Sequence, residues 1–287
     1  HMTALVSIEE LTISPVGQPH LKLVNNVSFA IQAGKTTCVV GESGSGKSLT
    51  ALAVMGLLSK QLQRKHGKIL FQGQDLTHLS SEKMREIRGR QIGMIFQEPM
   101  TSLNPVLTVG YQIGEPLTVH LGLKGDALKN KVADLLEQVG IPADRANSYP
   151  DELSGGQRQR VMIAMSIACE PALLIADEPT TALDVTVQAQ ILSLLDKLKT
   201  KLNMGMLLIT HDFGVVADVA DHVVVMFRGE IVESGTVSQV LKKPKHPYTK
   251  ALLDCVPDAE GKKELKPIDY AWLKPAAVKV KRVKVKS

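Results

Sequence analysis

Aromatic residues are scarce in this chain of 287 residues, and it contains no long uninterrupted apolar run. Phe, Trp and Tyr make up only 3 % of the sequence, which disfavours a surface that binds nucleic acid by stacking bases on aromatic rings. The longest apolar stretch, VMIAMSIACEPALLIA, is interrupted by Glu170 and Pro171 and falls short of the roughly 18 apolar residues of a membrane-spanning helix. The sequence therefore predicts a globular chain with a buried core.

Cysteines are also few. Cys38, Cys169 and Cys255 lie far apart and form no CxxC or CxxH pair. This spacing disfavours a zinc site or a disulfide framework and is typical of proteins in a reducing compartment.

Positive charge is concentrated at the C-terminus. The net charge is +5, but the last 14 residues, KPAAVKVKRVKVKS, carry six positive charges and no negative ones, so the rest of the chain has a net charge of −1. The body is therefore no obvious nucleic-acid binder. Three alternatives are open for the basic tail: a solvated end without regular structure, an edge strand, or a segment that lies on anionic lipid.

Strand-like and helix-like patterns alternate along the chain. Short alternating runs in residues 3–33 predict an antiparallel β layer, and KTTCVVG, ALLIADEP, MGMLLITHD and HVVVMFRGEIVESG predict buried strands separated by helical patterns. This alternation indicates an α/β fold with a mostly parallel sheet. We expect one domain over residues 2–240, with a helical insertion at about 101–170, and a C-terminal extension over 241–287 that includes the basic tail.

The segment GESGSGKS (41–48) matches the phosphate-binding pattern G-x-x-x-x-G-K-[ST] in full, between a strand-like and a helix-like run. Its backbone N–H groups are expected to wrap phosphates, Lys47 to neutralise the β- and γ-phosphate oxygens, and Ser48 to offer its hydroxyl to Mg²⁺. The predicted nucleotide contacts here are Gly41, Glu42, Ser43, Gly44, Ser45, Gly46, Lys47, Ser48 and Leu49.

Polar side chains follow three other strand-like runs. Asp177 and Glu178 end ALLIADEP, His211 follows LLIT, and Gln97 follows IGMIF. Asp177 is suited to hold Mg²⁺ through water, and Glu178 to accept a proton from an attacking water. Singly, each could be a solvated or structural group. Because the carboxyl ends of parallel strands meet at one sheet edge, we expect all four beside the 41–48 loop.

A second glycine pair occurs in LSGGQRQR (153–160), before another apolar helical pattern. Gly155 and Gly156 leave backbone N–H groups bare at the predicted helix N-terminus, which is a phosphate-binding arrangement. One nucleotide-binding domain would thus carry two phosphate-binding elements.

These motifs together resemble the nucleotide-binding subunit of an ATP-binding cassette (ABC) transporter over about residues 3–240. The resemblance rests, in chain order, on GESGSGKS, Gln97, LSGGQ, Asp177 with Glu178, TALD (181–184) and His211. It implies a P-loop NTPase (RecA-like) core with an antiparallel β layer and a helical insertion subdomain.

In the resembled family, ATP lies between two domains, and the phosphate loop of one meets the LSGGQ of the other. The 41–48 loop would therefore bind one ATP with Mg²⁺. The second ATP, bound by a partner, would be completed by Ser154, Gly155, Gly156 and Gln157, with Asp184 at the interface. The resemblance also implies that Glu178 activates water, that His211 steadies the γ-phosphate, and that Gln97 takes part in catalysis and binds Mg²⁺ with Ser48 and Asp177.

Three segments narrow the resemblance to the ATPases of oligopeptide, dipeptide and nickel importers: QEPMTSLNPVLTVGYQIGEP, ADEPTTALDVTVQAQI and KHPYTKALL (245–253). This implies an ATP-hydrolysing subunit, peripheral on the cytoplasmic face of the inner membrane, that powers uptake of a peptide, nickel or a metal chelate. Its partners would be a second ATPase subunit (the same chain or a sister), transmembrane permeases and, indirectly, a substrate-binding protein, with no nucleic acid. The alternative is a non-transport ATPase of the same fold acting on nucleic acid or ribosomes.

The sequence departs from this pattern at two places. Many of these ATPases carry a cysteine cluster for an iron–sulfur centre after the HPYT segment, whereas this chain has only Cys255 there, so we expect no cluster. The family also stacks an aromatic ring on adenine, and His20 or Leu21 occupies that place here.

An apolar segment without lysine or arginine, MTSLNPVLTVGYQIGEPL, follows Gln97. Its apolar residues include Met100, Leu103, Val106, Leu107, Val109 and Tyr111. If exposed, they would suit a groove that receives a short amphipathic helix, and the permease docks here in the resembled family. The alternative is that they pack beneath the helical insertion.

Overall fold

The structure is a computed structural model that describes residues 3–96, 103–256 and 272. In chain order, the strands are β1 (Val6–Pro15), β2 (Val24–Ile31), β3 (Thr36–Val40), β4 (Leu62–Phe71), β5 (Gln74–Asp75), β6 (Ile92–Ile95), β7 (Leu173–Asp177), β8 (Gly205–Thr210), β9 (His222–Phe227) and β10 (Glu230–Thr236). The helices are α1 (Lys47–Met55), α2 (Ser81–Ile87), α3 (Val109–Leu121), α4 (Gly125–Gln138), α5 (Gly155–Ile167), α6 (Val185–Leu202), α7 (Phe213–Val219), α8 (Val237–Lys242) and α9 (Pro247–Asp254).

A six-stranded sheet forms the centre of the fold, in the order β10-β9-β3-β8-β7-β6. All of its pairings except that of β10 with β9 are parallel, which confirms the predicted mostly parallel sheet. Alternate residues face opposite sides of this sheet. Leu174 and Ala176 pack in a core with the helices, whereas Leu173 and Ile175 pack in a second core with the antiparallel strands. Both faces are covered, so every residue of β3, β7 and β8 is buried, and most of these residues are apolar.

The predicted antiparallel layer is a four-stranded sheet with the order β2-β1-β4-β5. Its strands pack Ile8, Leu11 and Ile69 into the core that also contains α1 and one face of the central sheet. Strand β4 runs from Leu62 to Phe71 and pairs antiparallel with β1. The layer places the segment between β1 and β2 beside the start of α1.

Three helices, α3, α4 and α5, form the predicted helical insertion. Leu117, Leu136 and Val161, one from each helix, are fully buried in the same core. The insertion helices therefore pack together in an apolar core that continues onto one face of the central sheet.

The apolar segment that leads into the insertion is buried in part. Leu103 and Val109 are buried in the core of the insertion, so the prediction that they belong to an exposed patch is wrong, because they pack beneath its helices. Val106 and Tyr111 of the same segment are exposed. Met100, like the basic tail at the C-terminus, lies outside the described residues.

The run HVVVMFRGEIVESG was predicted as one strand but forms a hairpin of β9 and β10. Arg228 and Gly229 make the turn, and both have positive φ, 47° and 81°. The KHPYTKALL segment forms helix α9, which begins after the capping residue His246. Among the residues described, no helix is both long and apolar enough to cross a membrane.

Candidate functional site

The loop between β3 and α1 has the conformation of a phosphate-binding loop. Strand β3 ends at Val40, and α1 begins at Lys47. Gly46 precedes the helix with φ 93°, and a Cβ atom there would lie 2.8 Å from the backbone oxygen of Leu23, so no other residue fits. The loop therefore presents its backbone N–H groups at the N-terminus of a helix, where an anion is favoured.

Lys47 is buried inside this loop at 6 % exposure. Its Nζ donates to the backbone oxygen of Glu42 at 3.3 Å and lies 3.8 Å from Oε1 of Glu178. The hydroxyl of Ser45 is buried without a hydrogen-bond partner among the described residues. Because buried hydroxyls are normally paired, this one is an exception inside the loop.

The hydroxyl of Ser48, the residue after Lys47, faces the carboxylate of Asp177 at the end of β7. Ser48 Oγ donates to Asp177 Oδ1 at 3.3 Å. Burial raises the pKa of Asp177 above its ordinary value, and the neighbouring Glu178 adds to this shift, whereas the bond from Ser48 and the charge of Lys47 oppose it. An ionised carboxylate held here is costly by itself, so a cation beside it would be stabilising.

Glu178 and His211 are brought together at the ends of β7 and β8. Glu178 is 7 % exposed and has the left-handed φ of 48°, with its backbone N–H bonded to the oxygen of Ile209 at 2.9 Å. His211 Nδ1 lies 3.0 Å from both Oε1 and Oε2 of Glu178. A non-glycine residue held in this region is often found at functional sites.

One cavity of about 1160 Å³ is lined by Lys47, Ser48, Glu178 and His211, whereas Asp177 contacts Ser48 and is not part of the lining. Of the predicted contacts, it is lined by Glu42, Ser43, Gly44, Gly46, Lys47, Ser48, Leu49, Glu178 and His211. Gly41 and Ser45 are buried within the same loop. Gln97 lies outside the described residues, and its roles in catalysis and Mg²⁺ binding stay predictions.

Several cavity-lining residues were missed by sequence reasoning. They are Lys22, Leu23, Arg228, Leu252 and Cys255. Of the two residues considered for the place of the adenine-stacking aromatic, Leu21 lines the cavity. The missed residues come from three separate segments and carry no motif, so no local signal marked them.

The LSGGQ segment begins helix α5 away from this cavity. Ser154 Oγ accepts from the N–H of Gln157 at 3.2 Å, and Gln157 Oε1 accepts from the N–H of Ser154 at 3.0 Å, which is a capping box. Ser154 and Gly155 are exposed, and a Cβ on Gly156 would lie 2.8 Å from Val187 at the start of α6. No described residue of the 154–157 segment lines the cavity with Lys47.

Asp184 is an exposed residue that caps α6. Its Oδ1 accepts from the N–H of Val187 at 2.9 Å. Leu183, next to it, lies within 3.7 Å of a Cβ built on Gly155. Asp184 and the LSGGQ segment therefore belong to one surface, distinct from the cavity wall of the same chain.

Fold and site together define a P-loop NTPase. A comparison with family models matches residues 24–181 to the ABC transporter family and residues 232–277 to the oligopeptide/dipeptide transporter C-terminal region. The chain therefore belongs to the ABC transporter family, and it is an ATP-hydrolysing member of it. The second match disfavours the alternative of a non-transport ATPase.

The chain is similar to the oligopeptide transport ATP-binding protein OppD of Bacillus subtilis, with 50 % identity over 270 residues, covering 92 % of this chain and 75 % of that protein. It is 48 % identical over 279 residues to the glutathione import ATP-binding protein GsiA of Escherichia coli, covering 93 % of this chain and 44 % of that protein. Among solved structures, a dimeric post-hydrolysis state of the ATP-binding cassette MJ0796 bound to ADP and Pi matches with a TM-score of 0.72 and 27 % identity, covering 81 % of this chain and 98 % of that one.

Proposed function

We propose that this chain is the ATPase subunit of a peptide importer. The proposal rests on two observations: the phosphate-binding loop lines a cavity with Glu178 and His211, and residues 232–277 match the oligopeptide/dipeptide transporter C-terminal region. Similar proteins named for oligopeptide transport and glutathione import support a peptide as the solute rather than nickel. The division of the chain near residue 240 remains a prediction.

The phosphates of ATP are bound by the 41–48 loop. Its backbone N–H groups donate to phosphate oxygens, and the Lys47 ammonium lies against the β- and γ-phosphates. Because Lys47 contacts Glu178 at 3.8 Å in this structure, phosphate binding gives the ammonium a second anionic partner. Glu178 is then freer to interact with water.

Ser48 and Asp177 fit a Mg²⁺ ion. Both offer hard oxygen donors, and Mg²⁺ at nucleotide sites needs few protein ligands because phosphates and waters supply the rest. The raised pKa of Asp177, caused first by burial, marks a carboxylate that gains from a nearby cation. When bound, Mg²⁺ neutralises charge that develops on the phosphate oxygens. Gln97 is a proposed further ligand from the sequence.

Glu178 is the proposed general base for the attacking water. It projects into the cavity from the end of β7 beside Lys47, and His211 holds both of its oxygens at 3.0 Å. A carboxylate fixed in this way has a defined orientation toward water, which general-base catalysis requires. His211 is about two-thirds exposed, so it is open to contact the γ-phosphate as well.

The second half of each ATP site comes from a second ATPase subunit. The capping box engages the N–H groups of Ser154 and Gln157, whereas the first N–H groups of a helix have no acceptor within it, which leaves those of Gly155 and Gly156 for a phosphate. The exposed position of this segment and of Asp184 supports a contact with another chain. The dimeric form of the similar cassette MJ0796 supports the same arrangement.

A permease is proposed to dock in an apolar groove of about 300 Å³ beside the edge strand β6. Apolar residues that line it include Leu57, Met94, Phe96, Pro116, Met162 and Met165. Methionine side chains adapt to an inserted apolar helix, so this groove suits the short amphipathic helix of a transmembrane partner. Phe96 directly precedes Gln97, which links the groove to the proposed Mg²⁺ ligand. Such docking makes the subunit peripheral at the cytoplasmic face of the membrane, with the substrate-binding protein an indirect partner.

The proposal is tested by uptake in a strain that lacks the gene. Labelled oligopeptide uptake is expected to be lost, to return with the wild-type gene, and to stay absent with Glu178→Gln. Uptake of labelled nickel is measured in parallel in the same strains. Loss of nickel uptake with normal peptide uptake would overturn the solute assignment, and normal uptake of both would overturn the transport role.

A further inference from the structure

We propose that Tyr248 of the C-terminal helix α9 is a positioning residue for ATP binding. Its hydroxyl oxygen accepts a hydrogen bond from the backbone N–H of Glu42 at 3.0 Å, although the two residues are 206 positions apart. Tyr248 is fully buried. Glu42 is the second residue of the phosphate loop, so a side chain outside the motif holds the loop backbone directly.

The bond to Glu42 is linked to the lysine that meets the phosphates. The N–H of Glu42 donates to Tyr248, and the backbone oxygen of Glu42 accepts from Nζ of Lys47 at 3.3 Å. Both the backbone N–H and the backbone carbonyl of Glu42 are therefore hydrogen-bonded. Restricting its backbone restricts the anchor of Lys47 and reduces the ordering that the loop must undergo when ATP binds.

Tyr248 is itself held firmly. Its ring packs against Phe227 with a centroid distance of 4.6 Å, and Trp272 lies against the same group. The turn before α9 is fixed by Glu233, which accepts from the N–H groups of Lys245 and His246 at 2.9 Å each. Because Tyr248 is held in place by these contacts, its hydroxyl can fix the position of the Glu42 N–H that donates to it.

The hairpin that supports Tyr248 also contacts the phosphate loop at a second point. Gly229, in the turn between β9 and β10, donates its N–H to the oxygen of Ser45 at 2.9 Å. Leu252 and Cys255, at the end of α9, line the ATP cavity. The C-terminal segment and the β9–β10 hairpin thus form one support behind the loop.

This inference rests on the proposed binding of phosphates by the 41–48 loop. A loop-positioning role differs from a role in stability alone, because positioning acts on ATP affinity. Since ground state and transition state use the same loop contacts, loss of the hydroxyl should raise KM and leave kcat unchanged. A purely structural hydroxyl would lower the melting temperature and leave KM unchanged.

The test compares Tyr248→Phe with the exposed control Tyr149→Phe and with Lys47→Ala. For Tyr248→Phe we expect KM and the calorimetric Kd for Mg-ATP to rise about three- to tenfold, as for loss of a neutral hydrogen bond. Unchanged KM and Kd with a lowered melting temperature would overturn the inference. Wild-type affinity in Lys47→Ala would instead overturn the proposed phosphate site itself.

Hydrogen exchange provides a second measurement, made on the wild-type protein and on Tyr248→Phe. In the wild-type protein without nucleotide, the Glu42 amide should already exchange slowly, whereas the Gly44 amide should gain protection when ATP is added. The Glu42 amide should exchange faster in Tyr248→Phe. Exchange of this amide at the rate of an unprotected group in the wild-type protein would contradict the inference.

Discussion

His211 Nδ1 lies 3.0 Å from each carboxylate oxygen of Glu178, so one imidazole spans the whole carboxylate. A general base must be an acceptor here, so the proposed role of Glu178 requires Nδ1 to be the donor in this pair. The two residues end neighbouring strands, and their pairing fixes the direction of Glu178 inside the ATP cavity.

Replacement of His211 by alanine should lower ATP turnover by about 10²-fold, because a misplaced catalytic group costs about that much. ATP affinity should change less than turnover, since the 41–48 loop and Lys47 keep their phosphate contacts. His78→Ala, at an exposed side chain of the antiparallel layer, is the matched control. Steady-state ATPase assays check this.

The double variant His211→Ala with Glu178→Gln sharpens that test. If His211 acts through Glu178, the double variant should be no slower than Glu178→Gln alone, because residues that act as a unit are not additive. Full additivity of the two losses would show that His211 acts independently of Glu178.

Asp177→Asn should separate Mg²⁺ binding from stability. Affinity for Mg²⁺ in the presence of ATP should fall about 10- to 100-fold, the range for loss of an outer-shell metal partner. Without nucleotide, the variant should melt at a higher temperature than the wild type at pH 7. Burial raises the pKa of Asp177 in the folded state, so its ionised form disfavours folding above both the folded and the unfolded pKa.

This stability difference should disappear as the pH falls below the ordinary Asp pKa of 3.8, where the carboxyl is protonated in both states. Thermal melts from acid to neutral pH measure it. A variant that melts lower than the wild type at pH 7 would show that the carboxylate stabilises the fold. Unaltered Mg²⁺ affinity would remove Asp177 from the metal site.

Leu57→Glu should disrupt permease docking. Leu57 is 38 % exposed at the apolar groove, and a buried unpaired carboxylate there would oppose an apolar helix. Turnover by the isolated subunit should persist while co-purification with the permease and peptide uptake are lost. Val16→Glu, at another exposed apolar residue, is the control. A Leu57→Glu subunit that binds the permease normally would place the docking surface elsewhere.

Much of the fold and site could be predicted because their signals are local. The loop needs glycine at position 46, where φ is 93° and a Cβ would meet the backbone of Leu23. Asp177 and His211 each end an apolar strand, and parallel pairing alone brings those ends together. The hairpin of β9 and β10 was missed because Arg228-Gly229 lacks the usual Asn-Gly or Asp-Gly signal.

The contacts that could not be predicted join distant segments. The bond between Glu42 and Tyr248 depends on how α9 packs behind the loop, which no local pattern encodes. The mixed burial of the 103–111 segment has the same origin, since Leu103 and Val109 are covered by helices that come later in the chain. The absence of an iron–sulfur centre remains a prediction.

The most direct test of the account is the paired measurement of Mg-ATP affinity and turnover in Glu178→Gln, with the exposed Glu82→Gln as control. The substitution removes the proposed base and keeps the size and shape of the side chain. The account predicts wild-type calorimetric affinity with turnover reduced by about 10²-fold or more, as for loss of a general base. Turnover equal to that of the wild type would contradict it.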